Sequence, residues 1–143
     1  QSVILTRDDE MVLTPTYPLF KIYIPHQGAE YLPLHYESKQ LRDKNNRVVN
    51  TLSATASRAE DGTVTITLAN VDLVSDCRIT ISLDDDKKYD VSGSILTSKN
   101  ISDHNTFENP ECIKTVKYDD FKSQKGSIEV VLPTKSIVSL TLK

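Results

Sequence analysis

A chain of 143 residues fits one domain, and a domain of ~150 residues buries roughly 70% of the surface its unfolded chain exposes, so it needs no disulfide or metal staple. Hydrophobic residues at 38%, charged residues at 26% and a formal net charge of -3 describe an ordinary folded protein and exclude a disordered chain or a basic nucleic-acid binder. No apolar run approaches the ~20 residues of a membrane-spanning helix, and the N-terminus, starting at Gln1, lacks a signal-peptide pattern and reads as the start of a fragment.

The first 27 residues differ in character from the rest. Ser2 to Thr6 and Met11 to Leu13 are short apolar runs. Leu19, Phe20, Tyr23 and Ile24 follow a helical spacing that Pro25 stops. Thr14 or Thr16 is positioned to cap that helix, with Pro18 tolerated only in its first turn. So short a helix is marginal alone and must pack against something.

A strand is expected from Glu30 to Tyr36, followed by a polar stretch from Ser38 to Asn50. Its Lys39, Arg42, Lys44 and Arg47 set against Asp43 predict a mobile, exposed excursion. From about Thr51 the apolar residues recur at every second position, the period of a strand with one buried face. Leu52 to Ser57 opens the series. Val64, Ile66 and Leu68 alternate with threonines, and Cys77, Ile79, Ile81 and Leu83 alternate with polar residues. Tyr89 to Thr97 follows, then Ile128, Val130 and Leu132, then Val138, Leu140 and Leu142. Asp61-Gly62 and Lys125-Gly126 supply the positive φ of tight turns, and Pro133 ends a strand. Many short strands without a long helical period predict a two-layer antiparallel β-sandwich of jelly-roll type. The expected core is Val64, Ile66, Leu68, Ile79, Ile81, Leu83, Ile128, Val130, Val138 and Leu140. The long loop from Ser98 to Thr115 is expected to be functional or pinned against another surface.

Candidate chemistry is sparse. Asp84-Asp85-Asp86 and Asp119-Asp120 are charge clusters beside strands, where neighbours point to opposite faces instead of converging on one bond; they read as solvated turns. His26, His35 and His104 lack metal-ligand spacing and read as packing or hydrogen-bonding residues. No GxSxG elbow is present. Cys77 and Cys112 lack metal or redox spacing and read as free thiols, Cys77 in register with the buried face of its strand, with a bridge between the two as the alternative. There is no Trp. Tyr17, Tyr23, Tyr31, Tyr36, Tyr89 and Tyr118 are scattered, a pattern of core and interface tyrosines more than of a sugar-stacking platform. No catalytic, cofactor-binding or metal residue is assigned, no cofactor is expected, and substrate-binding residues are unassigned.

Three blocks carry a resemblance. Met11-Val12-Leu13-Thr14-Pro15-Thr16-Tyr17, with the aromatic helix and His26-Gln27-Gly28-Ala29 after it, resembles the end of the catalytic barrel in family 51 glycoside hydrolases, the α-L-arabinofuranosidases. His104-Asn105-Thr106-Phe107-Glu108-Asn109-Pro110 is similar to a motif of that family's C-terminal sandwich. Leu132-Pro133-Thr134-Lys135-Ser136-Ile137-Val138 looks like its closing strand pair. The blocks follow the family's order and span nearly the whole chain. Where the family commonly has a histidine after the Thr16-Tyr17 pair, this chain has Pro18, which implies a shifted or kinked helix start, and the basic stretch Lys39 to Arg47 matches no family motif.

The resemblance implies residues 1–27 as the tail of a (β/α)8 barrel and 28–143 as a non-catalytic C-terminal sandwich that packs on it. It further implies retaining hydrolysis of terminal α-L-arabinofuranosyl groups by two glutamates roughly 5 Å apart, both preceding the start of this chain, so this chain alone is expected to be inactive. The implied partners are the catalytic barrel of the same parent chain and, for the parent, an arabinose-containing glycan such as arabinan or arabinoxylan. A homo-oligomer is a further possibility, while no nucleic acid and no membrane are expected. A carbohydrate-binding module and an unrelated structural or adhesin-like sandwich are the alternatives; fold alone does not separate them.

Overall fold

Threonine and β-branched residues alternating with polar ones favour the extended backbone, because their branched side chains pack well on a pleated surface. The computed structural model describes residues 2–143, and Gln1 lies outside the described residues. The elements run β1 (Ile4–Arg7), β2 (Glu10–Leu13), α1 (Thr16–Tyr23), a 3-10 turn (Ile24–His26), β3 (Glu30–Leu32), β4 (Gln40–Arg42), β5 (Val48–Asn50), β6 (Leu52–Arg58) and β7 (Val64–Asn70). They continue with β8 (Cys77–Ser82), β9 (Val91–Thr97), β10 (Val116–Tyr118), β11 (Phe121–Gln124), β12 (Ser127–Leu132) and β13 (Ser136–Leu142).

A six-stranded sheet in the order β10-β9-β13-β7-β6-β3 faces a three-stranded sheet β11-β12-β8, and β1-β2 and β4-β5 form separate hairpins. Each strand pair is antiparallel. The chain passes back and forth between the sheets from β7 to β13, as in Greek-key sandwiches. The expected antiparallel sandwich is therefore present.

Register decides which side chains meet in the middle. Val64, Ile66 and Leu68 pair with Leu142, Leu140 and Val138, and Ile128, Val130 and Leu132 pair with Ile81, Ile79 and Cys77. Paired residues share a face, so these rows form the core together with Leu52, Ala56, Ile95 and Tyr118. Seven of the expected core residues, Val64, Ile66, Leu68, Ile128, Val130, Val138 and Leu140, are buried. Ile79, Ile81 and Leu83 are half-buried against the same cluster, because β8 is an outer strand of the smaller sheet.

The turns behave as their residues dictate. Gly62 and Gly126 take φ of 85° and 68°, and Lys125-Gly126 joins β11 to β12 with Gln124 opposite Ser127.

Several local expectations are corrected. Ser38 to Asn50, expected as a mobile, exposed excursion, is exposed over most of its length but is built as the β4-β5 hairpin, an element the sequence did not predict. Asp43 accepts hydrogen bonds there from the amides of Asn45 and Arg47 and from Arg47 Nε, and Asn46 adopts a φ of 63°. The strand expected from Glu30 to Tyr36 ends at Leu32. Beyond it, Tyr36 Oη and Ser38 Oγ accept from the amides of Ala54 and Leu52, so side chains replace a strand at the edge of β6. The N-terminal segment holds a hairpin as well as a helix. Pro15, not a threonine, stands at the helix N-cap, and Thr14 Oγ1 instead donates toward the carbonyls of Ser2 and Val3. Pro18 lies within the first turn, where no intrahelical N–H is required. The expectation for the cysteines holds: Cys77 and Cys112 are free thiols.

Candidate functional site

The outer face of the six-stranded sheet is where the N-terminal segment attaches. Ser57, Thr67 and Ser139 project away from the apolar core, yet each is buried. His26 accounts for two of them: its Nδ1 lies 2.7 Å from Ser57 Oγ and its Nε2 2.8 Å from Thr67 Oγ1. Tyr23 packs its ring 5.7 Å from the imidazole. Burial holds the His26 pKa below its ordinary value and pushes the Tyr23 phenol up, since both charged forms lose hydration. Nearer the other end of the face, Ile22 of α1 joins Leu96 and Ile113 in a second apolar cluster, with Leu19, Tyr23 and Ile137 against it.

The long loop and the β1-β2 hairpin hold each other. Asn105 is buried; its Nδ2 donates to the carbonyls of Leu13 at 2.8 Å and Ile113 at 2.9 Å, and its Oδ1 accepts from the Ile113 amide. The Arg7 guanidinium sits 4.2 Å from the centre of the Phe107 ring and forms ion pairs with Glu10 and Glu108. Asp103 accepts from Ser98 Oγ and the Asn100 amide, which folds the start of the loop on itself.

Several apolar side chains of this segment stay exposed. In the hairpin, Val12 is buried, whereas Ile4 and Met11 are 43% and 61% exposed. The pairs Ile4–Leu13 and Thr6–Met11 put these two on the hairpin face opposite Val12. On α1 and the turn after it, Phe20 and Ile24 are 61% and 54% exposed and lie four residues apart, on one helical stripe. The segment is thus fastened to the sheet through some side chains while other large apolar ones stay exposed, as on surfaces that meet a partner.

Among the described residues, the carboxylates and histidines singled out above are not brought together at one site. Asp84 and Asp86 are exposed, and Asp85 is occupied by the Tyr89 hydroxyl and the Lys87 amide. Asp119 pairs with Lys117. The His26–Ser57 contact resembles a base and nucleophile only in distance. Ser57 is 4% exposed, and the second ring nitrogen faces Thr67 instead of a carboxylate, so neither access nor an orienting acid exists. His35 and His104 are exposed and apart from His26, and among the described residues no group of three His, Cys, Asp or Glu could hold a metal ion.

The tyrosines do not form one platform. Tyr118 is buried, its hydroxyl reaching the carbonyls of Asp120 and Val131, and its pKa is pushed up to about 12, by burial first and then by the charge of Asp120. Tyr89 and Tyr23 are half-buried, Tyr17 lies under Lys21, and Tyr31 and Tyr36 are exposed.

Two polar residues at the end of β7 escape a reading by motif. Asn70 donates from Nδ2 to the carbonyls of Ser75, Leu132 and Pro133. Its Oδ1 accepts the Asp72 amide. Asp72 in turn accepts from the amides of Val74 and Ser75 and from Lys39; the Lys39 ammonium and those two amides lower its pKa to about 2. The Asn-x-Asp spacing at the end of β7 is the available signal, since such residues bond their own backbone two positions on.

Comparison with known proteins gives a consistent result. The family model described as the α-L-arabinofuranosidase C-terminal domain matches residues 1–136. An intracellular exo-α-L-arabinofuranosidase of Bacteroides ovatus is 46% identical over 143 residues, all of this chain and 28% of that protein. The crystal structure of the GH51 arabinofuranosidase from Xanthomonas axonopodis pv. citri matches with a TM-score of 0.92 at 35% identity, over 100% of this chain and 29% of that one. A thermostable GH51 α-L-arabinofuranosidase from Thermotoga petrophila shares the fold, with a TM-score of 0.83 at 22% identity over 99% of this chain and 31% of its own. The chain therefore spans less than a third of the length of these relatives.

Proposed function

The chain belongs to the α-L-arabinofuranosidase C-terminal domain family, and on that premise we propose that it is the non-catalytic sandwich of a retaining α-L-arabinofuranosidase. Its role is to pack on and stabilise a catalytic (β/α)8 barrel supplied by the rest of the parent chain. Residues 1–27 are the last stretch of that barrel, and 28–143 are the sandwich. The parent removes terminal α-L-arabinofuranosyl groups from an arabinose-containing glycan.

The observation that carries this reading is that the N-terminal segment is fastened to the sheet yet keeps large apolar side chains exposed. Leu19, Ile22, Tyr23 and His26 fix it to the six-stranded sheet, while Ile4, Met11, Phe20 and Ile24 stay exposed. Burying one such side chain stabilises by roughly 1.5–3 kcal/mol, so a surface of this kind favours a partner. The 98–115 loop, fastened to the same hairpin through Asn105 and Arg7, belongs to that surface.

The reading is tested with a nitrophenyl arabinofuranoside. The 143-residue chain is expected to give no turnover, and a parent chain that includes it is expected to be active. Turnover by the isolated chain that disappears when one of its own Asp or Glu residues is replaced would overturn the proposal.

A further inference from the structure

His26 is held in a way that favours the neutral imidazole. A neutral imidazole carries one N–H and one bare nitrogen, so between two hydroxyls it donates to one and accepts from the other. Ser57 Oγ and Thr67 Oγ1 sit at 2.7 and 2.8 Å from the two ring nitrogens, and neither hydroxyl has another side-chain hydrogen bond in this structure. Both residues are buried, at 4% and 1% exposure. Protonating the ring turns both nitrogens into donors, and the hydroxyl that had donated to the bare nitrogen loses its acceptor. An orphaned buried hydroxyl is unfavourable, and the new positive charge finds no counter-ion nearby.

The elements packed around the ring supply no such charge. On the face shared with Ser57 and Thr67, β6 offers Thr55, β7 offers Thr65, and β13 offers Ser139 and Thr141, paired with Thr67 and Thr65. From β3 the residue on this face is Tyr31, paired with Ser57, and from α1 it is Tyr23. Tyr23 and Tyr31 are the titratable groups among these. Glu30 and Arg58 pair with each other and, as alternate residues on their strands, lie on the opposite face.

We propose that His26 is a proton-sensitive latch: neutral, it clamps the N-terminal segment to the outer face of the six-stranded sheet, and on protonation it releases that segment while the sandwich stays folded. The direction follows from burial holding the folded-state pKa below the ordinary 6.5. The clamp is fully effective above that ordinary value and weakens as pH falls below it toward the depressed one. The latch itself is independent of the activity proposed for the parent. If residues 1–27 are the barrel's last stretch, it sits where barrel and sandwich join.

The experiment is amide hydrogen exchange on the 143-residue chain at about pH 7.5 and about pH 5, corrected for intrinsic rates. Protection at Leu19 to His26 is expected to fall several-fold more than protection in β13, and His26→Gln, which cannot titrate, is expected to lose the difference. Equal pH dependence in the two regions, or an unchanged response in His26→Gln, would overturn the proposal. Should that variant fail to fold, nitrogen shifts of the His26 ring in the natural sequence decide the matter. One bare nitrogen for as long as the segment is protected supports the latch. A doubly protonated ring with protection intact rejects it.

Discussion

Gly93 stands where a side chain has no room. A Cβ built there would lie 2.6 Å from the Tyr118 carbonyl oxygen and 3.0 Å from the rings of Phe121 and Tyr118. The backbone oxygen cannot swing aside as a flexible side chain would, so Gly93→Ala is expected to destabilise the chain by about 1–3 kcal/mol, read as a lower denaturant midpoint. A midpoint equal to that of the natural sequence would show that β9 and β10 can separate at no cost. Asp72 offers a second test at this scale. Its pKa is lowered from 3.8 to about 2, so the stability it contributes is fully present above 3.8 and is lost as pH falls from there toward 2. Asp72→Asn is expected to flatten that acid limb, and an unaltered limb would remove Asp72 from the account. Neither residue was legible beforehand. A glycine inside a strand signals close approach without naming the neighbour, and Asp72 acquires its low pKa only when folding brings Lys39 and the amides of Val74 and Ser75 to it.

The longer strands were legible because period-two alternation is a direct image of one buried face, and β6, β7, β8, β9, β12 and β13 all carry it. The strands that were missed are three or four residues long, and so short a run shows no period. Val116–Tyr118 and Phe121–Gln124 flank Asp119-Asp120, which reads as part of a polar turn. The β4-β5 hairpin was hidden differently: its stability comes from Asp43 gathering two amides and a guanidinium, a local device that composition does not reveal. Asp43→Ala is therefore expected to abolish amide protection in Gln40 to Asn50 while leaving the thermal midpoint of the sandwich nearly unchanged. A large drop in that midpoint would mean that the hairpin is coupled to the core.

At the scale of the whole molecule, the proposed interface was suggested by resemblance alone; how the segment is fastened came from the folded chain. No sequence period shows that Ile22 meets Leu96 and Ile113, or that His26 reaches β6 and β7, because these contacts join distant parts of the chain. The same contacts bear on what happens when residues 1–27 are removed. The main core cluster begins at Leu52 and includes no residue of the segment, and the partly buried side chains packed against it start at Leu32. Deletion is therefore expected to leave a cooperatively folding sandwich. It does uncover Leu96, Ile113 and Ile137 and frees two buried hydroxyls, so the remainder should melt at a lower temperature, by the loss of one small apolar cluster and not of the fold. The exposed side is tested separately by Met11→Asp together with Phe20→Asp, which touches residues already 61% exposed. If that side was shaped for a barrel, the natural chain should self-associate as its concentration rises, and the double variant should stay monomeric with a similar melting temperature. Loss of folding on deletion would show the segment to be core. An unchanged sedimentation profile in the double variant would show that the exposed apolar side attracts no partner, and with it the reading of this surface as half of an interface would fall.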